Sequence, residues 1–158
     1  MTDTTSAPTV NPDWEAWQAQ ARERDRLAKE VLPANKAALF DVLAAAGIVT
    51  VTVRFDGYGD SGQIEDIEAC ATDTIVELPP DRIEITEPLY DGSGLERSTP
   101  SVRDVIEKFA YDFLEETHGG WENNEGAYGD FTFNVESRTI TLEYNERMIT
   151  SEYSQHAF

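Results

Sequence analysis

Cysteine is all but missing from this chain: Cys70 stands alone among 158 residues. A single thiol excludes an internal disulfide and any cysteine-based metal cluster, and a reducing, cytoplasmic setting is the expectation that follows. Histidine is nearly as scarce, with His118 and His156 as its two copies. No apolar run approaches the roughly 20 consecutive residues that a membrane span requires. The opening MTDTTSAPTVNPDW has no positive residues followed by an apolar core, so neither a secretory signal nor an Arg-rich transit peptide is read there. Its Thr, Ser and Pro content reads as a disordered lead over residues 1–12, ahead of one α+β domain over 13–158.

Positive charge is the other shortage. Lys and Arg number 12 against 31 Asp and Glu, a formal net charge of −19. Gripping a polyphosphate depends on cations that displace its counterions, so direct binding to nucleic acid or to an anionic membrane is disfavoured. The imbalance is uneven: Asp56 to Glu96 carries twelve acids and a single base, Arg82, whereas Arg22 to Lys29 holds four bases. An acidic surface of this kind either imitates nucleic acid towards a basic partner or simply keeps a small protein solvated, and the second is the plainer reading.

What is present reads as two helices, a hairpin, a further strand, a helix and a final hairpin. Asp13 caps a helix over 13 to 31, with Trp14, Trp17 and Ala21 at helical spacing and at least one Trp expected to pack. Pro33 breaks or restarts the chain. ANKAALFDVLAAAG then sets Ala37, Leu39, Phe40, Leu43 and Ala44 along one face of a second helix that Gly47 closes. IVTVTVRF alternates, with Val49, Val51, Val53 and Phe55 on one side of a strand. QIEDIEACAT returns antiparallel after DGYGDSG, but Ile64 and Ile67 share a face only if a bulge shifts the register. DRIEITEP gives a short strand and DGSGLERSTP a loop. Ser101 caps a third, amphipathic helix through Val102, Val105, Ile106, Phe109, Phe113 and Leu114. A last hairpin sets Phe131, Phe133 and Val135 beside Ile140, Leu142 and Tyr144, turning at Glu136 to Arg138. The fold expected is an antiparallel sheet of two hairpins and a short strand with three helices mainly on one face.

Two glycine-rich strings are candidates for chemistry. DGYGDSG fails the EF-hand pattern, whose third ligand position falls on Gly57 or Tyr58, and fails the P-loop, since Gln63 and not Lys follows its last glycine. GDSG also echoes a serine-protease loop, but without the His and Asp of a larger two-barrel fold. A tight hairpin turn accounts for it. HGGWENNEGAYGD allows a metal-dependent hydrolase built from His118, Glu122, Glu125, Asp130 and His156. It has none of the short fixed spacings that specify a metal site. A helix end followed by a turn explains the same letters, with His118 at the C-terminal pole, Gly119 and Gly120 as terminators and Trp121 packing. The tail EYNERMITSEYSQHAF interleaves Tyr144, Met148, Ile149, Tyr153 and Phe158, which either fold back on the core, the plainer reading, or offer an anchor to a partner.

At FDGYGDSGQIEDIEA, HGGWENNEGAYGDFTFNV and TITLEYNERMITSEYSQHAF the chain resembles a bacterial family of unknown function, small acidic proteins often met on plasmids and other mobile elements. GDSGQI and GWENNEGAYG are the distinctive strings. The resemblance implies an α+β accessory protein of the bacterial cytoplasm and carries no activity with it. From the residues themselves the expectation is a non-enzymatic interaction or regulatory module, a monomer or weak homodimer without a cofactor. Its partner is a protein, with a basic or nucleic-acid-binding one as the candidate. The contact residues expected are Asp56, Asp60, Trp121, Glu122, Asn123, Asn124, Glu125 and Tyr128, the acids steering and Trp121 or Tyr128 anchoring.

Overall fold

Strong helix formers run almost unbroken from Trp14 to Ala45, and in the computed structural model, which describes residues 12–58, 61–123 and 125–158, they form one helix, α1, over Pro12–Ala45. The break expected at Pro33 does not occur. A proline removes one backbone donor and crowds the carbonyl four residues back, but Pro33 is exposed and flanked by Ala, Leu and Lys on both sides, which carry the helix across it. The three helices expected are therefore two. The second, α2, covers Val102–His118; Ser101 caps it, its Oγ accepting from the Asp104 N–H at 3.2 Å.

Seven strands are formed by the described residues: β1 (Thr50–Tyr58), β2 (Ser61–Ala71), β3 (Thr74–Val76), β4 (Ile85–Pro88), β5 (Leu95–Ser98), β6 (Ala127–Asn134) and β7 (Thr139–Glu146). Five make an antiparallel sheet in the order β3-β2-β1-β6-β7, while β4 and β5 make a separate two-stranded one. Two expectations change here. DRIEITEP contributes its strand to the small sheet, and LERS, read as loop, is that strand's partner. The short fifth strand of the main sheet is instead β3, which the sequence reading did not contain.

Contacts divide the chain into two compact units, residues 1–38 with 82–100 and residues 39–81 with 101–158. The N-terminal lead, apart from Pro12, lies outside the described residues. In the first unit, buried Asn35 mimics a strand edge: its Nδ2 donates to the Thr86 carbonyl at 2.8 Å and its Oδ1 accepts from the Thr86 N–H at 3.0 Å. Arg24 lies over the Tyr90 ring, 5.4 Å from its centroid. Trp14 and Trp17 stack on each other at 5.1 Å and remain about half exposed, so neither is buried as expected.

In the second unit one face of the sheet is apolar because alternation makes it so. Val51, Val53 and Phe55, Ile67 and Ala69, Phe131 and Phe133 are buried, as are Val102, Val105, Ile106, Phe109, Ala110 and Leu114 of α2 and Leu39, Phe40 and Leu43 at the end of α1. Val49 and the flanking Ala37 and Ala44 are exposed, so the expected stripes are narrower. Rings join the layers: Phe40 lies 6.3 Å from Phe133 and Phe113 lies 6.4 Å from Phe131. The bulge that Ile64 and Ile67 demanded is present, since Arg54 pairs with Asp66 while Phe55 pairs with Ile64. The Ile64 N–H beside it donates to the Tyr111 hydroxyl of α2 at 3.0 Å. The last hairpin brings the two apolar sets to one face as expected, and its register sets Phe131 opposite Leu142 and Phe133 opposite Ile140.

Candidate functional site

The two glycine strings meet. Trp121, just past the end of α2, lies across the β1–β2 hairpin where Gly57 and Gly62 pair with each other. A Cβ on Gly57 would stand 2.6 Å from the indole, and one on Gly62 would stand 2.5 Å from it. Only glycine lets a flat ring approach backbone this closely. Trp121 is 7% exposed and turns an edge to Phe55, ring centroids 5.4 Å apart and planes at 84°. Its indole is therefore packed against the core, as the helix-end reading of the string expects.

Arg147 closes the other side. It is the only Lys or Arg after Arg138, a signal in the sequence that could have singled it out. Its Nη1 donates to the Gly57 carbonyl at 2.8 Å, its backbone N–H to the Gly126 carbonyl at 2.9 Å, and its guanidinium lies 4.8 Å from the centre of the Tyr128 ring. The same Nη1 stands 2.8 Å from Asp56 Oδ1. That oxygen is enclosed and lacks a well-aligned hydrogen bond, so charge attraction to Arg147 is what compensates its burial. Of the expected contact residues, Asp56 is thus engaged internally, whereas Tyr128 remains 45% exposed. Glu122 and Glu125 are half-buried on the turn and Asn123 is exposed; Asp60 and Asn124 lie outside the described residues.

Beside this junction opens a cleft of about 580 Å³, with His118, Trp121, Asn123, Glu125, Tyr144 and Glu146 among its walls. Inside it the imidazole of His118 stacks on the Tyr144 ring, centroids 3.6 Å apart and planes at 12°. Burial, and then the nearby charges of Glu146 and Glu122, push the Tyr144 phenol above its ordinary range. Met148 and Ile149 form part of the rim and stay exposed, as do Tyr153 and Phe158; the tail does not fold back on the core as expected.

The residues of the hydrolase reading are not all brought together: His118 and Glu125 share the cleft, but Asp130 and His156 are not among its walls. Asp130 pairs with Arg54 and Glu143 on the polar face of the sheet, whereas His118 stacks on Tyr144, whose strand neighbour across the ladder is Gly129 of the opposite parity. His156 lies in the exposed tail with its ring 6.5 Å from Phe158. Among the described residues no three His, Cys, Asp or Glu side chains form a group that could hold a metal ion.

Fold and site define an α+β module with a two-loop glycine junction and an adjoining cleft. The chain belongs to a family of unknown function, DUF6878, whose model matches residues 31–158. Neither a curated protein nor a solved structure matches it. No described helix is long and apolar enough to cross a membrane.

Proposed function

We propose that the protein is a non-enzymatic, acidic interaction module that binds a protein partner of basic character, such as a nucleic-acid-binding protein, and acts by occlusion or regulation. The observation that carries this reading is the junction itself: Trp121 seated on Gly57 and Gly62 makes one surface of two acidic loops. Around it Glu122, Glu125, Glu146 and Tyr128 retain exposure, while the local cation, Arg147, is already occupied by Asp56 and the Gly57 carbonyl. A field of one sign at a shaped surface steers an oppositely charged partner and selects against others. The setting proposed with it is the bacterial cytoplasm, on plasmids or other mobile elements, in keeping with the resemblance of GDSGQI and GWENNEGAYG. The test is affinity capture with the full chain beside a Glu122→Gln, Glu125→Gln, Glu146→Gln variant. The expected result is a specific partner that elutes at moderate salt and is lost with the variant. Retention indifferent to both salt and the substitutions counts against the reading.

A further inference from the structure

The two edges of the main sheet differ. At one end β3 is three residues long; at the other, β7 runs eight residues from Thr139 to Glu146, with no proline and no register shift against β6. An edge strand of this length presents a row of backbone donors and acceptors to any chain that can pair with it, and proteins ordinarily shield such edges with shortness, proline or a bulge. β7 has none of these, its charged residues Glu143 and Glu146 are both acidic and so repel only acidic strands, and no described residue makes a backbone bond to its outer edge.

Its side chains state what kind of strand would fit. Facing the core, Ile140, Leu142 and Tyr144 are only half-buried, because no further strand flanks them. On the opposite face Thr139, Thr141, Glu143 and Asn145 are exposed. Glu143 stands directly across from Asp130, and like charges in that position repel. The nearest strand cation, Arg54, bonds Asp66 instead at 2.9 Å, and among the described residues neither Asp130 nor Glu143 has an ion pair. A strand laid along β7 with apolar residues inward and Lys or Arg outward would complete the burial of the first set and relieve the repulsion in the second.

We infer that β7 is a docking edge for an extended, basic segment of a protein partner, which joins the sheet as a sixth strand. The inference rests on the proposed function and assigns that partner's mode of recognition, β-strand addition with an alternating apolar and basic pattern. A second copy of this chain fits less well, since β7 carries Glu143 and Glu146 and no base, and each chain brings a net charge of −19.

The experiment uses the full chain and two short synthetic peptides, one alternating Val or Ile with Lys or Arg, the other with Glu in place of each base. Amide hydrogen exchange reads β7 directly. The basic peptide is expected to slow exchange at alternate residues between Thr139 and Asn145 and to bind at least about tenfold more tightly than the acidic one, with Glu143→Lys abolishing that preference. Unchanged β7 exchange with the basic peptide, equal binding of both peptides, or β7 protection that grows with protein concentration alone would each overturn the inference, the last by identifying a second copy as the occupant. A captured partner that depends on Glu122, Glu125 and Glu146 but leaves β7 exchange unaltered sinks the docking edge and spares the proposed function; β7 protection by the peptide without any salt-sensitive partner does the reverse.

Discussion

At Gly62 the absence of one carbon decides the position of the largest side chain nearby. Gly62→Val would set a Cβ 2.5 Å from the Trp121 ring and force it outward. Overfilling of this kind typically costs about 1–3 kcal/mol, so the urea midpoint should fall while its slope is retained. Trp121→Ala should cost about 3–5 kcal/mol, and the double variant should lose less than the two together, because without the indole the valine has room. Strict additivity would show that the two residues do not touch in solution. Tyr144 offers a second check. Its phenol is shifted upward by burial first and then by Glu146 and Glu122, so the folded form holds its proton more tightly than the unfolded chain does. The stability this contributes is full below the ordinary value of 10.0 and is lost as pH rises through the raised folded value. Denaturation midpoints should therefore decline as pH rises above 10.0 towards the raised folded value, less steeply in Tyr144→Phe.

Among the elements, α1 is the one in which local preference and outcome part. Proline is about 3 kcal/mol less favourable than alanine inside a helix, yet the helix crosses Pro33. Pro33→Ala should consequently raise helicity at 222 nm and the thermal midpoint; a fall in both would mean that the fixed backbone angle of proline is itself required there. The other elements show what a single sequence can disclose. Alternation from Val51 to Phe55 and the spacing from Val102 to Leu114 specified a strand and a helix because one buried face dictates a period of two or 3.6. The bulge near Glu65 was legible as well, since Ile64 and Ile67 could share a face only through it. β3 and β5 left no such trace. Thr74–Val76 and Leu95–Ser98 are largely exposed, and a strand without a buried face has no period to read.

Over the whole molecule the excess of acid sets the response to salt. Apart from the part-buried Arg147 and Asp56, described ion pairs such as Arg26 with Glu23 and Arg54 with Asp66 are exposed, and such pairs contribute about 0–1 kcal/mol each. Self-repulsion at a net charge of −19 acts on every acid at once and is relaxed by screening. Added sodium chloride should thus raise the thermal midpoint; a steady decrease would show that the ion pairs outweigh the repulsion. The sequence by itself determined the charge, the amphipathic helix α2, both hairpins of the large sheet and the places where glycine bends the chain, because each follows from residue type or from spacing within a few positions. Only the tertiary structure decided that Trp121 is seated on Gly57 and Gly62, that Arg147 is held by Asp56, that His118 stacks on Tyr144 and that Asp130 and His156 are elsewhere. Those are meetings of residues dozens of positions apart, and chain topology sets them, for which local periodicity contains no term.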